Sequence, residues 1–547
     1  MAHVYKGDHV KATRKSILTA TAVATGAILA LGIASPAVAG GGPGHGGGHG
    51  GGHGGGKGDA TSETLRKAVS AKSIQFHLDQ LQRIADRNDG NRAAGTSGHE
   101  QSAAYIEKLM KLAGYQTERQ PFSYDKVNID RAEFGQVTPD PVAYTLEEQF
   151  YPMDYSGEGA VDDAVLTPVD INLEGDRAST SGCEAEDFAG FTAGNVALIQ
   201  RGSCDFAVKA NNAAAAGASG VVIFNQGNDV PGDDRLGVLF GTLGELGIAI
   251  PVVGTSFEIG QTLASAVDPT VDIVLETTTV TVDTFNLIAT SKKGDPTKQV
   301  VSGAHLDSVA EGPGINDNGT GSATLLEVAL KLAVTNSKPA NQLRFAWWSG
   351  EEDGLQGSNY YVSQLTDEQA ANTALNLNFD MVGSVNPVRF VYDGDGDAFG
   401  EAGPEGSAEI EKTFVDYFAS QGLATAPTAF DGRSDYFGFI NAGIPAGGLF
   451  TGAEGIKTEE EAAIFGGTAG EPYDPCYHQA CDTKANVDKV VLDEMADAVA
   501  HAVYTFGAVK TSGWGHHDWG KWGDWKKDHR WDGRGFHDSH GDRDGKR

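Results

Sequence analysis

The spacing of hydrophobic positions changes along the chain, and each change predicts a different kind of element. Between Ala71 and Ala113, Leu78, Leu81 and Ile84 form one stripe, and Ala103, Ile106, Leu109 and Met110 form another. Three-to-four spacing of this kind predicts two helices, parted by the polar loop Arg87–Gly98. From Val300 onward, short apolar runs alternate with helical stripes. Strands are expected at Val300–Val301, Leu343–Trp348, Ala374–Phe379, Val388–Tyr392 and Ile444–Leu449. Leu326, Ala329, Leu330 and Ala333 mark one helix, and Leu492–Thr505 reads as another. Alternation of strand and helix predicts a mostly parallel sheet with helices on its faces. Between Ser123 and Thr284 the texture differs, being rich in Val, Gly, Thr and Asp. There the short strands Val196–Ile199 and Val221–Phe224 flank an alanine-rich helix, Val208–Ala216. The expected fold class is α/β: a mixed sheet rich in parallel strands, sandwiched by helices, with a β-rich α/β domain inserted in it.

The two ends show no such pattern. Residues 1–39 read as a secretion signal: Lys11, Arg14 and Lys15 precede an uncharged stretch from Ser16 to Ala34, and Ala37-Val38-Ala39 ends it. No membrane span is expected once it is cleaved, and the mature protein is expected outside the cell. Residues 40–60 are a glycine-rich linker carrying His45, His49 and His53. Residues 512–547 hold five of the seven tryptophans and no aliphatic residue. Tryptophan interleaved with alternating charge suits contact with cell wall or polysaccharide, and plain disorder is the competing reading. The folded body is then 61–122 with 285–511, and the insert is 123–284.

Composition narrows the function. The chain has 547 residues and a formal net charge of −33, which excludes nucleic acid as a partner because phosphate contacts need surplus Lys and Arg. The folded body contains only five histidines, at 77, 99, 305, 478 and 501. His77 and His99 fall on the early helices and His501 within the last, so these three are expected to pack or to face solvent. The four cysteines form two locally spaced pairs, and in an exported protein Cys183–Cys204 and Cys476–Cys481 are the expected disulfides.

Ligand sites in open α/β sheets lie beyond the carboxyl ends of the strands, and four segments place metal-type residues there. The first is Ser302-Gly303-Ala304-His305-Leu306-Asp307, with His305 a ligand and Asp307 able to orient its ring. Next comes Gly314-Ile315-Asn316-Asp317-Asn318-Gly319, in which Asp317 has two oxygens to share between two ions. In Ser349-Gly350-Glu351-Glu352, one glutamate can ligate while its neighbour faces a substrate. The last is Asn378-Phe379-Asp380. Singly, each has a structural explanation. Together they supply a hard N/O donor set that suits two zinc ions sharing a carboxylate. His478, within Cys476-Tyr477-His478-Gln479-Ala480-Cys481, offers a second imidazole.

These segments, with Phe345-Ala346-Trp347-Trp348 and Asp431-Gly432-Arg433-Ser434-Asp435, resemble the secreted two-zinc aminopeptidases of the Streptomyces type. The likeness runs in order through Ile74–Phe122 and Asn286–Phe506. It implies that His305 and Asp380 bind one zinc, that Glu352 and His478 bind the other, and that Asp317 bridges them. It further implies Glu351 as general base, Tyr477 as the group polarising the scissile carbonyl, and Arg433 as an aid to substrate binding. Arg201-Gly202-Ser203-Cys204-Asp205-Phe206, with Lys209-Ala210 and Ala216-Gly217-Ala218, resembles a protease-associated domain. The expected partner is a peptide or protein with a free N-terminus, and the expected state is a monomer. A carboxypeptidase, a glutaminyl cyclase or a non-catalytic binding module on the same sheet are the alternatives. Asp393, Asp395 and Asp397, or Asp493 and Asp497, are candidate calcium ligands, against the plainer reading of a solvated acidic surface.

Overall fold

The structure is a computed structural model; it describes residues 59–228, 235–243, 247–335, 339–400 and 402–508. The signal, nearly all of the linker, and the tail at 512–547 lie outside the described residues.

Four parallel strands form the middle of the sheet, in the spatial order Ala446–Phe450, Thr373–Phe379, Asp295–His305 and Asn341–Trp348. Phe390–Tyr392 adds on antiparallel to the first of them and pairs in turn with Ala426–Thr428, so the sheet is mixed. Both faces of the central strands are apolar, as buried parallel strands require. Val300 and Ala304 point to one side with Leu343, Phe345, Trp347, Leu375 and Leu377, under the helices Ala71–Ala85, Ser97–Leu112, Gly321–Val334 and Lys489–Ala508. Val301, Ala346 and Trp348 point to the other, against Tyr361, Val362, Tyr436 and Phe439. The two early helices begin where side-chain caps stand: Ser70 Oγ accepts from the Ser73 amide and Thr96 Oγ1 from the His99 amide.

Two long strands leave this sheet. The outgoing arm is Gln116–Thr138 and the return arm is Thr270–Thr290, paired antiparallel from Gln116 opposite Thr290 to Thr138 opposite Thr270. The near end of the return arm pairs with Asn341–Trp348. Its far end pairs with Gly159–Pro168, and from there the ladder continues through Val196–Gln200, Gly220–Phe224, Val252–Thr255 and Phe150–Pro152. This outer part has its own apolar packing on both faces, around Ile199, Val221 and Ile223 on one and Leu198, Val222 and Phe224 on the other. Positions 123 and 284 therefore fall inside the two arms, where the chain crosses as a two-stranded ribbon. The strand expected at Val300–Val301 is eleven residues long: it starts at Asp295, opposite Asn341, and after an irregularity runs on from Gln299, opposite Gln342, through a mostly polar start that carries no hydrophobic stripe. Cys183 is bonded to Cys204, and Cys476 to Cys481.

Candidate metal centre and active site

Three adjacent central strands end at one edge of the sheet, and each delivers acidic or imidazole groups there. His305 is the last residue of its strand, Glu351 and Glu352 follow Trp348, and Asp380 follows Phe379. Asp317 arrives on the segment Ile315–Thr320 that feeds the helix Gly321–Val334. Its approach depends on Gly314, which has φ +56° and where a Cβ would lie 2.3 Å from the Asp317 carbonyl oxygen. His478 and Tyr477 stand on the short loop closed by Cys476–Cys481, their rings stacked with centroids 3.8 Å apart.

The side chains converge in two groups with a shared member. His305 Nε2 is 3.2 Å from Asp317 Oδ1 and 3.2 Å from Asp380 Oδ1. His478 Nε2 is 3.4 Å from Asp317 Oδ2 and 2.9 Å from Glu352 Oε2. Within each group, His305/Asp317/Asp380 and Asp317/Glu352/His478, one ligand atom per residue lies within 4.8 Å of the others. Asp317 thus turns one oxygen to each histidine. Glu351 belongs to neither triplet; its Oε2 is 3.8 Å from His305 Nε2. Asp307 is fully buried, with Oδ1 3.7 Å from His305 Nδ1, and its two oxygens face the backbone amides of Glu351 and Glu352 at 3.5 and 3.4 Å. Tyr477 Oη accepts from Arg433 Nη2 at 3.3 Å, and Arg433 Nη1 donates to Glu454 at 2.8 Å on the exposed side.

The protonation behaviour shows how strongly this edge attracts cations. Burial pushes the Glu351 carboxyl well above the usual range, and Asp380, Asp435 and Glu352 add to it against the pull of His305. Glu352 is pushed up to about 7 by burial and by Asp317, with His478 pulling the other way. Burial alone would lower the His305 imidazole, but Glu351 and Asp380 overcome it and raise it well above its ordinary value. His478 moves up to about 11 in the same manner, under Glu352 and Asp317. Asp317 is lowered: hydrogen bonds from both imidazoles outweigh the cost of burying it. Without another cation, the two imidazoles serve as counter-ions to a knot of buried carboxylates. Glu352 Oε1 is buried with no hydrogen-bond partner, as is His305 Nδ1. Two imidazoles and three carboxylates, of which Asp317 is shared and Glu352 keeps one buried oxygen without a partner, make a donor set that fits two zinc ions.

Several contributors had no assigned role from sequence. Asp482 accepts from the amides of Asn316 and Asp317 at 2.8 and 2.9 Å, and Asn316 in turn donates to Asp474 at 2.6 Å. These two aspartates flank the Cys476–Cys481 loop, the only signal that marked them. Arg92 is completely buried; its guanidinium donates to the carbonyls of Leu306, Pro313 and Gly314, and its amide to Ser308 Oγ. It thereby braces the loop between His305 and Asp317, from a polar loop with no periodic pattern. Ser434 donates to Asp380 Oδ2 at 2.6 Å. Asp435 beside it is buried and pushed up to about 8 by burial, reinforced by Asp380 and Asp307.

His77, His99 and His501 do not reach this edge. His77 bonds Tyr105 and Glu327, His99 is buried against Phe285, and His501 stacks on Tyr417. Asp393, Asp395 and Asp397 do gather with Glu411. Backbone amides donate to Asp393 from Gly396, Ala398 and Phe399, and to Glu411 from Gly394 and Asp395. Asp493 accepts from the Ala71 amide, and neither it nor Asp497 joins a ligand group among the described residues. Among the described residues no helix is long and apolar enough to cross a membrane.

Residues 286–503 match the sequence family described as Peptidase family M28, and residues 166–263 match the PA domain. An aminopeptidase of Pseudomonas aeruginosa is 47% identical over 438 residues, which is 80% of this chain and 81% of that protein. Leucine aminopeptidase 2 of Trichophyton tonsurans is 40% identical over 81% of this chain and 85% of its own length. The solved aminopeptidase from Aneurinibacillus sp. strain AM-1 superposes with a TM-score of 0.63 at 26% identity, over 82% of this chain and 97% of that one.

Proposed function

The chain belongs to peptidase family M28, with an inserted PA domain, and from that premise we propose that it is an exported aminopeptidase working with two zinc ions. The observation that carries the two-metal reading is the sharing of Asp317 between His305 and His478, each with a further carboxylate, Asp380 or Glu352, within reach. His305, Asp317 and Asp380 would hold one ion and Asp317, Glu352 and His478 the other. Zinc bound there would supply a Lewis acid for the scissile carbonyl and lower the pKa of a water molecule toward neutrality.

Glu351 accepts the proton of the attacking water and passes it to the leaving amine. Its carboxylate stands outside both ligand triplets, with Oε2 3.8 Å from His305 Nε2, so it is placed to hold that proton in between. The Tyr477 hydroxyl donates to the carbonyl oxygen as negative charge develops on it. Arg433, touching Tyr477 at the exposed mouth, orients that hydroxyl and meets the substrate. The substrate's α-ammonium sits near Glu351 and Asp380, which limits cleavage to the first residue. Residues 1–39 act as the export signal, 61–122 with 285–511 form the peptidase domain, and 123–284 form the insert. One chain carries every group named, so a monomer is sufficient.

The test compares leucine p-nitroanilide with its N-acetylated form. Hydrolysis of the free amine alone supports the reading. Equal hydrolysis of the blocked substrate, or cyclisation of an N-terminal glutamine in place of hydrolysis, overturns it.

A further inference from the structure

The loop that carries Glu351 and Glu352 is held from two sides. On one side Asp307 faces the amides of both glutamates. On the other the loop is contacted by the two arms that carry the insert. Tyr124, on the outgoing arm, donates its hydroxyl to Asp353 Oδ2, and Lys126 Nζ lies 2.6 Å from Asp353 Oδ1. On the return arm, Thr284 Oγ1 and Ser349 Oγ are 2.7 Å apart. Asn286 accepts from the Ser349 amide at 3.2 Å and donates to the Gly357 carbonyl at 2.7 Å. In register, Tyr124 stands opposite Val282 and Phe122 opposite Thr284, so these contacts come from one short stretch of the ribbon.

The fit is close. Tyr124 is completely buried and the Asp353 side chain is only 10% exposed, so the hydroxyl–carboxylate bond is shielded from water, where charge-assisted bonds are strongest. Gly350, just before the two glutamates, has φ +75°, and a Cβ there would come 3.0 Å from Tyr124 Oη. Gln356 closes the turn, its amide donating to the Gly350 carbonyl and its side chain to the Asp353 carbonyl. Glu351 and Glu352 are thus two residues and one residue away from a carboxylate that both Tyr124 and Lys126 of the outgoing arm contact.

Resting on the roles assigned above to Glu351 and Glu352, we infer that Asp353, clamped by Tyr124 and Lys126, is a positioning residue that sets those two carboxylates. The root of the inserted domain is then part of the catalytic apparatus rather than a spacer. Loosening the clamp lets the loop shift by a fraction of an ångström to an ångström. A shift of that size costs up to about a hundredfold in turnover where reacting groups must be aligned.

The experiment uses the full chain as Asp353→Asn, Tyr124→Phe, the double variant and Lys126→Met, each saturated with zinc. Asp353→Asn and Tyr124→Phe are expected to lower kcat about 10- to 100-fold, with KM within about twofold of wild type. The double variant should be no worse than the more affected single one, because both changes remove the same contact. Titration of the metal-free proteins with zinc alone, against a chelator, should show one of two sites weakened about tenfold and the other unchanged. Lys126→Met, which alters the partly exposed cation and no buried hydroxyl, should lower kcat in the same direction by less, and it decides the matter if the other variants do not fold. Turnover and both zinc affinities within twofold of wild type in the folded variants, with only the melting temperature lowered, would make the clamp merely structural and overturn the inference. Additive losses in the double variant would overturn it as well. Glu351→Gln, run in parallel, separates the two claims. Retained turnover there removes the site assignment itself, whereas an inactive Glu351→Gln beside a fully active Asp353→Asn removes only the clamp.

Discussion

Arg92 is a buried cation whose side chain donates to three backbone carbonyls, and replacing it with lysine is a sharp perturbation. Its Nε donates to the Pro313 carbonyl at 2.8 Å, while the two terminal nitrogens donate to the carbonyls of Leu306 and Gly314. Burial lowers its pKa to about 10, held up by Asp307 and Asp482, so the group is charged at neutral pH. A lysine ammonium keeps the charge but lacks the planar fork, and from one point it can serve about one of the three carbonyls well. Each hydrogen bond to a charged donor is worth about 1.5–3 kcal/mol net, so losing two costs roughly 3–6 kcal/mol. That is a large part of the roughly 5–15 kcal/mol that holds a typical domain together. Arg92→Met should cost more, since all three carbonyls lose their donor and the nearby carboxylates lose a counter-charge. Urea unfolding of zinc-saturated protein at pH 7 measures both. The braced loop also sets His305 against Asp317, so turnover of Arg92→Lys, measured well below its melting temperature, should fall as well. Unfolding free energies within about 1 kcal/mol of wild type for both variants, with unchanged turnover, would refute this account of the loop.

Acid sensitivity follows from His99, which is buried against Phe285 and has its pKa lowered to about 4 by burial. The folded state keeps this ring neutral while the unfolded chain titrates near 6.5, so the stability it contributes is complete above about pH 6.5 and is lost as pH falls toward 4. The loss is about 3 kcal/mol, and His99→Gln should lose that much less than wild type over the same interval; parallel stability–pH curves would contradict it. Replacing Cys476 and Cys481 together with serine should weaken one zinc site about 10- to 100-fold, because the His478 side chain is 41% exposed and its placement depends on the short closed loop. Chelator competition checks this, and an unchanged affinity would show that Asp474 and Asp482 hold the loop without the disulfide.

The residues that converge at the sheet edge were more legible in the sequence than the contacts that hold them there. His305, the Glu351-Glu352 pair and Asp380 stood out as candidates because each lies at the end of an apolar strand, where open α/β sheets place their binding sites. His478 stood out because histidine is scarce in the folded body, and Asp317 because glycines surround it. Arg92 had no such signal: a buried arginine that bonds only to carbonyls looks, in sequence, like any arginine in a polar loop. Asp353 is the third member of an acidic run, Glu351-Glu352-Asp353, and nothing in sequence sets it apart from a solvated carboxylate. The two arms were invisible to hydrophobic pattern because their middle, around Glu276–Asp283, is mostly exposed and carries polar residues on both faces. Backbone pairing, which side-chain pattern does not record, makes them continuous strands. The same blindness shortened the strand Asp295–His305 to its two valines.

The most direct test of the central claim is Glu351→Gln, measured for both zinc content and turnover of leucine p-nitroanilide. Glu351 lies outside both ligand triplets, so the account predicts that the variant binds two zinc ions per chain with wild-type affinity. Turnover should fall at least about a hundredfold, since proton transfer by a positioned carboxylate contributes roughly 10²–10⁴. A variant that retains near wild-type turnover with its metal in place would contradict the assignment of the base, and with it the mechanism built on this site.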